Sequence, residues 1–372
     1  MGTHSRARRG LRALVVSTVM SVVLLGASAV NAGAETNAQK AQHGAQRGAQ
    51  WLANQIRANG GFLENFGQPD VTDTAYAVIG MRAAGVDKGA SNLAVAWLKN
   101  KVGTKLRSGG QDSPGALAED IMAAVAYGQN PRTFGGNGPN NNLVRRLLDT
   151  QRTTGTDNGL FGAQDPTYDG AFRQGLALGA LAAVHIPKTD GRIVDAISWL
   201  KRQQCANGLW TSYRADTSVA CPPADPNRFT GPDTNSTGWA VQGLAAWGAH
   251  SNDAGVLSSL DAIQSSDAGF PYIAAAGQPS DPNSTALAIQ AIVAARGAPN
   301  AGMWVKTNQT PLTALLKYQI GCKSPGFGAF RFPGSGTGPN VFATVQAVPA
   351  LTLRTLPLKP STKSVTVSLK HC

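Results

Sequence analysis

Apolar and polar residues along the chain alternate between two kinds of helix-length segment. Segments of the first kind end in Trp-Leu or Leu-Leu, as at Trp199-Leu200, and carry Lys and Arg on one side. Segments of the second kind are rich in Ala, Gly and Leu and nearly free of charge, as in the stretch that leads into Ala83-Ala84-Gly85. A charged side predicts a helix that faces water, whereas small uncharged residues predict a closely packed helix. The pattern therefore predicts alternating outer and inner helices.

These two helices belong to a unit that is repeated six times. Between them each unit has a Gly-containing turn, usually with an aromatic residue, and a polar loop with Asp, Asn and Pro. The turns are Gly60-Gly61-Phe62, Gly109-Gly110, Gly159-Leu160-Phe161, Gly208-Leu209-Trp210, Gly269-Phe270 and Gly326-Phe327-Gly328. Such repetition predicts an architecture in which neighbouring units bury one another. Because neither end shows a polar capping repeat, we expect an all-α fold, an (α/α)6 toroid of six helical hairpins.

The first residues have the order of a secretory signal. A basic leader with four arginines precedes an apolar run over 13–30, and Ala32-Gly33-Ala34 supplies the small residues that a signal peptidase recognises. The run is short for a membrane span and ends at a processing site. We therefore expect a secreted protein, extracellular or in the cell envelope and not transmembrane, with the general secretory and twin-arginine routes both open.

Three parts are expected along the chain: a signal peptide over 1–34, the toroid over 35–356 and a tail over 357–372. Residues 364–369 alternate between polar and apolar, which predicts a single strand. The net charge is +12, and removing the four arginines of the signal, with no acid, lowers it to +8. The basic residues are not interleaved with aromatic residues, so we expect no nucleic-acid partner, but adhesion to anionic envelope polymers.

Four cysteines indicate disulfides, because an even number outside the cytoplasm favours pairing. Cys205 and Cys221 flank one loop and are expected to pair with each other. Cys322 would then pair with Cys372 and tie the tail to the body. None of the cysteines has C-x-x-C spacing, so we expect no metal site.

The stretch from Gln203 to Gly208-Leu209-Trp210 resembles the QW repeat of squalene and oxidosqualene cyclases. The chain is thus similar to the terpenoid cyclase and protein prenyltransferase α/α-toroid superfamily, which also includes the cobalamin carriers transcobalamin and intrinsic factor. The resemblance covers about Gly44 to Leu356. It implies the toroid fold more specifically than it implies a function.

Enzymes of this superfamily depend on motifs that the sequence lacks. A protonating cyclase uses an Asp-x-Asp-Asp run whose acid stays protonated because it is buried. A prenyltransferase uses Asp, Cys and His as zinc ligands, and an ionising synthase uses an aspartate-rich patch for magnesium and diphosphate. No such set is present. The sequence therefore favours a non-catalytic protein without a required cofactor.

In character the chain most resembles the α-domain of the cobalamin carriers. Asp73-Thr74-Ala75, Asn235-Ser236-Thr237 and Asn283-Ser284-Thr285 resemble the starts of their inner helices, and 346–351 resembles their Gln-x-x-Pro-x-Leu ending. The resemblance implies cobalamin or a related corrinoid as the ligand. The β-rich domain that closes over the carriers' ligand is reduced here to the tail, so a separate lid or receptor chain is an expected partner.

The predicted small-molecule site lies inside the ring, where inner-helix N-termini collect free N–H groups and positive partial charge. Its expected contacts are polar and aromatic residues at these ends and glutamines one to two turns further along. They are Asp73, Tyr76, Tyr168, Asp169, Gln174, Asn235, Trp239, Gln242, Asn283, Gln290, Asn340 and Gln346. Each also has a structural interpretation: Asp and Asn as N-caps, aromatic residues as packing residues, and glutamines as partners of neighbouring helices.

Two other classes of function stay open. An enzyme of the same fold would act on an isoprenoid or an envelope glycan, and a polysaccharide hydrolase or lyase would need paired acids in one cleft. The close acidic pairs near the predicted rim are Glu119 with Asp120 and Asp165 with Asp169. A scaffold or adhesion protein with an idle cavity is the third class.

Overall fold

The computed structural model describes residues 35–358, apart from 104–105 and 109. The predicted signal peptide, the predicted tail strand and Cys372 lie outside these residues. Within the described part of the chain, no helix has the length and apolar character needed to cross a bilayer.

Twelve α-helices of the described residues alternate between an outer and an inner layer. The outer helices are α1 (Asn37–Ala58), α3 (Lys88–Lys99), α5 (Leu143–Asp149), α7 (Gly191–Arg202), α9 (Asp253–Ile263) and α11 (Pro311–Leu316). The inner helices are α2 (Val71–Ala84), α4 (Pro114–Ala126), α6 (Gly170–Ala183), α8 (Thr234–Ala246), α10 (Pro282–Ala294) and α12 (Val341–Leu351). The inner helices are almost wholly buried, as their small uncharged residues predict.

The six hairpins close into a ring. Each inner helix packs against the inner helices before and after it, and α12 packs against α2 and α1. Two short antiparallel hairpins were not predicted: β1 (Leu63–Asn65) pairs with β2 (Gln68–Asp70), and β3 (Arg107–Ser108) pairs with β4 (Gln111–Asp112). The (α/α)6 toroid is confirmed.

One repeated hydrogen-bond pattern explains why a glutamine follows many outer helices. The amide nitrogen of Gln204 donates to the carbonyl oxygen of Gly208 in its own turn and to that of Ser251 beside the next outer helix. The residues with the same double contact in three other units are Gln151, Gln264 and Gln319. The glutamine therefore joins adjacent units, and in the fourth unit this residue is Gln204, not its neighbour Gln203.

A second repeated contact ties each turn to the next inner helix. The backbone N–H of Trp210 donates to the hydroxyl of Thr237 on α8 at 3.0 Å. Three threonines at the same place in their helices accept equivalent bonds: Thr74, Thr285 and Thr344. A buried N–H must find a partner, so the threonine fixes the turn against the inner helix.

The loop between α7 and α8 contains the disulfide between Cys205 and Cys221. The predicted pairing of these two residues is confirmed. Cys322 is also disulfide-bonded, whereas Cys372, its expected partner, lies outside the described residues.

Candidate functional site

The N-cap interpretation is wrong for three of the predicted site residues. The side chains of Asp70, Asp233 and Asp281 cap α2, α8 and α10, two or three residues earlier than expected. Asp73, Asn235 and Asn283 instead lie in the first turn of these helices. Each keeps one buried side-chain oxygen without a hydrogen-bond partner: Asp73 Oδ2, Asn235 Oδ1 and Asn283 Oδ1.

Two aromatic side chains meet across the inside of the ring. Tyr76 on α2 and Trp239 on α8 have ring centroids 6.2 Å apart, although these helices are opposite members of the inner layer. Phe172 on α6 adds an edge contact to Trp239 at 5.9 Å. The inside is therefore not the single open hollow that the sequence predicted, but is crossed by an aromatic layer.

Glu119 lies at the same level as this layer. Tyr76, Glu119 and Trp239 are each the sixth residue of their inner helix, so they lie at similar depth below the rim. Burial and the charge of Glu119 both raise the pKa of the Tyr76 hydroxyl. Neither the hydroxyl of Tyr76 nor the indole nitrogen of Trp239 has a hydrogen-bond partner.

Asp73 on α2 and Glu119 on α4 are buried acids on two neighbouring inner helices. Burial, followed by the charge of Asp70, raises the pKa of Asp73 to about 7, and a hydrogen bond from Asn65 opposes this rise. Burial, followed by the charges of Asp73, Asp120 and Asp70, raises the pKa of Glu119 well above its usual value. The Oε2 atom of Glu119 is buried and has no hydrogen-bond partner among the described residues. Two carboxylates in one buried place cannot both be ionised easily, so the pair retains a proton near neutral pH.

Asp120, the sequence neighbour of Glu119, belongs to different surroundings. Its side chain is fully buried, and burial raises its pKa while the charge of Arg146 on α5 lowers it. Arg146 itself binds Asp112 through two nitrogens, at 2.9 and 2.7 Å. Glu119 is thus influenced most by Asp73 after burial, whereas Asp120 is influenced by Arg146 of the outer layer, although the charge of Asp120 also raises the pKa of Glu119.

A pocket of about 330 Å3 lies at the rim, where α8, α10 and α12 begin. Its walls combine amides and aromatic rings with one carboxyl and one hydroxyl group: Asn65, Asn235, Asn283, Asn340, Phe66, Tyr272, Phe332, Phe342, Asp281 and Ser284. Asn65 connects the pocket to the acids because its side chain is also bonded to Asp73. Asn235, which lines the pocket, lies one helical turn before Trp239 on α8, whereas neither Asp73 nor Glu119 lines the pocket.

The remaining predicted site residues are placed elsewhere. Gln174 accepts a bond from the N–H of Phe161 and donates to the carbonyl oxygens of Gly159 and Ala196, towards the outer layer. Tyr168 is exposed, and Asp169 is half-exposed at the start of α6.

The other glutamines bond within the ring. Gln346 accepts a bond from Asn283 at 2.9 Å. Gln242 and Gln290 contact the backbone of the segment that follows α12. Among the described residues, no cluster of three or more His, Cys, Asp or Glu side chains could hold a metal ion.

Glu119, Asn65 and Phe66 are missed as site contacts by the sequence interpretation. The sequence predicts Glu119 only as a partner of Asp120, because the two residues are adjacent along the chain. Asn65 and Phe66 lie in the β1–β2 hairpin, where the repeat pattern predicts only a polar loop. The sequence feature that comes closest to indicating this site is the pair of acids Asp70 and Asp73, which are three residues apart.

Comparison of the whole fold with solved structures places the chain among α/α toroids. The α-1,6-mannanase of Salegentibacter sp. HEL1_6, with α-1,6-mannotriose, has a TM-score of 0.53 at 11% identity, over 84% of this chain and 98% of that one. The type II terpene cyclase MstE from Scytonema has a TM-score of 0.51 at 14% identity, and the alignment covers 85% of this chain and 97% of the cyclase. No protein-family model and no curated protein matches the sequence significantly.

A third similar structure is ent-copalyl diphosphate synthase from Streptomyces platensis, with 18% identity and a TM-score of 0.49. The alignment covers 77% of this chain but only 52% of the synthase, so this chain spans about half the length of that enzyme. At these identities the similarities establish the fold alone. The protein is an (α/α)6 toroid, the fold that these cyclases share with glycan-cleaving enzymes.

Proposed function

We propose that this toroid is a hydrolase that cleaves a glycosidic bond by acid–base catalysis. The main supporting observation is the buried pair of Asp73 and Glu119, which Asn65 links to a rim pocket lined with asparagines and aromatic rings. Asparagine amides bond sugar hydroxyls, and aromatic rings offer apolar faces to sugar rings. The similarity in fold to an α-1,6-mannanase supports this substrate class without specifying the sugar.

The two acids would take different roles, one as acid and one as base. Glu119, whose protonated form is favoured by burial and by the charge of Asp73, donates its proton to the leaving oxygen as the glycosidic C–O bond breaks. Asp73 then accepts a proton from the water that forms the new C–O bond at the anomeric carbon. One water is consumed and both acids can return to their starting protonation states by proton exchange.

The test is turnover of oligosaccharides by the full-length protein. We expect cleavage of at least one envelope-type oligosaccharide in a panel that includes α-1,6-mannotriose. Glu119→Gln and Asp73→Asn should each lower kcat by about 10²–10³-fold, the usual contribution of a positioned acid or base. Asp165→Asn is the control and should keep the activity, because Asp165 is exposed and belongs neither to the acidic pair nor to the rim pocket.

Retained activity in Glu119→Gln would contradict the mechanism. Binding of an oligosaccharide without cleavage would instead support the carrier function expected from the sequence. Cobalamin as that ligand has no support from the structural relatives, and the rim pocket of about 330 Å3 is small for a corrinoid.

A second candidate function is cyclisation of an isoprenoid. It is favoured by the aromatic layer of Tyr76, Trp239 and Phe172 beside the acids, because aromatic faces stabilise carbocations through cation–π attraction. Incubation with squalene and with geranylgeranyl diphosphate, followed by mass spectrometry of the products, tests it. Cyclic products that disappear in Trp239→Leu would favour this function over the glycosidase.

We also propose that the protein acts outside the cytoplasm. The disulfide between Cys205 and Cys221 supports an oxidising compartment, where such bonds persist. Fractionation of the source culture should find the mature chain in the medium or envelope, where a basic protein meets anionic polymers. Recovery only from the cytoplasm would contradict this localisation.

A further inference from the structure

A second cavity lies at the opposite end of the ring, where the inner helices end. Its volume is about 460 Å3, within the range of small-molecule sites, and it shares no lining residue with the rim pocket. Alanines and valines of α4, α6, α8 and α10 form its walls. The segment Thr355–Leu358, which follows α12, covers one side.

Apart from Gln242, the inner helices line this cavity with alanine and valine side chains. Gln242 is its one lining amide among the described residues, and that amide is already bonded. Its oxygen accepts from the N–H of Leu356 at 3.1 Å, and its nitrogen donates to the carbonyl oxygen of Gly238 at 3.3 Å. A ligand group that enters here would meet hydrocarbon surface and should itself be apolar.

The mouth of the cavity is basic. Arg296 and His185 are exposed lining residues, and neither side chain has a hydrogen-bond or ion-pair partner in the described structure. His250 also lines the cavity, but it binds Asp253 at 2.8 Å. No Asp or Glu is present among the described residues of the lining.

These two basic residues occupy special backbone positions. Each of the six inner helices is followed, within two residues, by a residue in the left-handed conformation. Three of the six are glycines: Gly85, Gly128 and Gly248. The other three are His185, Arg296 and Leu353, with φ of 55°, 65° and 56°.

Glycine is the residue that adopts this conformation without strain, so a side chain there is unfavourable for the fold. Two of the three strained side chains are the unpaired basic residues at the mouth of one cavity. Strain that persists at such a position points to a role for the side chain itself. A competing role is neutralisation of the partial negative charge at helix C-termini.

We propose that this cavity binds a single-chain carboxylate of the fatty-acid type. Its hydrocarbon chain lies between the ends of the inner helices, and its carboxylate is held at the mouth by Arg296 and His185. The apolar interior selects the chain and the basic mouth selects the negative head group. This site is independent of the acidic pair at the other end of the ring.

Calorimetric titration of the full-length protein with decanoate tests the proposal. We expect saturable binding of decanoate, with decanol and acetate each at least about tenfold weaker, because each lacks one of the two matched groups. Arg296→Gly should weaken decanoate binding about tenfold or more, while its Tm stays the same or rises because strain is relieved. Ala246→Leu, which fills the cavity, should also weaken binding.

Leu353→Gly is the matched control, since it relieves the same kind of strain at a residue that does not line the cavity. It should leave decanoate affinity unchanged. The proposal is overturned if decanoate does not bind, if decanol binds equally well, or if Arg296→Gly lowers Tm without changing affinity. The last result would assign Arg296 to the helix C-terminus alone.

Discussion

The side-chain amide of Gln319 donates a 2.8 Å hydrogen bond to the carbonyl oxygen of Gly44, and so joins the sixth unit of the ring to the first. The same nitrogen donates to Gly328, and the amide oxygen accepts from the guanidinium of Arg47 at 3.0 Å. This one side chain therefore connects residues that are 275 positions apart in the sequence.

Gln319→Leu should destabilise the closed ring. The change leaves partly buried carbonyl oxygens without a donor, so we expect the free energy of unfolding to fall by about 2 kcal/mol. Urea denaturation followed by circular dichroism measures it. Gln50→Ala, which removes only an exposed contact to Asn54, should change it by less than about 0.5 kcal/mol; equal effects of the two changes would contradict a closing role.

Gly175→Ala should disrupt the contact between α6 and α8. A Cβ atom at Gly175 would lie 2.2 Å from the carbonyl oxygen of Trp239, which is backbone and cannot move aside cheaply. We expect a loss of about 3 kcal/mol or more, or failure to fold. Gly115→Ala is the control, because its Cβ would meet only Leu176 at 4.0 Å; a fully stable Gly175→Ala variant would disprove the close approach.

Stability should depend on pH through Asp73. Its pKa is about 7 in the folded chain and 3.8 as the unperturbed value, so the folded state binds the proton more tightly. The resulting stabilisation is fully present below about pH 4 and is lost as the pH rises to about 7, a change of about 2–4 kcal/mol.

In Asp73→Asn this contribution should vanish, and the free energy of unfolding should vary less between pH 4 and 7. Asp165→Asn is the control, because hydrogen bonds from Thr167 lower the pKa of this exposed acid, and its titration lies below that window. Identical pH profiles for wild type and Asp73→Asn would refute the assignment.

Removal of the disulfide between Cys205 and Cys221 should lower stability. The bond closes a loop with a sequence separation of 16, for which restriction of the unfolded chain contributes about 3 kcal/mol. Thermal unfolding of the double variant Cys205→Ala, Cys221→Ala measures the loss. An unchanged Tm would mean that the loop is already ordered by other contacts, such as the bonds of Arg214 to Thr217 and Val219.

The partner of Glu119 is a feature that the sequence alone does not predict. Adjacency along the chain suggested that Glu119 acts with Asp120. On a helix, successive residues point about 100° apart, so Glu119 faces Asp73 while Asp120 faces Arg146. A missing Asp-x-Asp-Asp run therefore did not exclude a buried protonated acid, because the pair is assembled from α2 and α4.

The sequence by itself determined the six hairpins, the two layers and the disulfide between Cys205 and Cys221, because periodicity, small residues and loop spacing are local properties of the chain. Only the tertiary structure decided what lies inside the ring. The contact of Tyr76 with Trp239 and the partner of Glu119 depend on how closely opposite and neighbouring helices approach. How closely the helices approach one another is set by packing among all six units. No single segment of the chain therefore determines these distances.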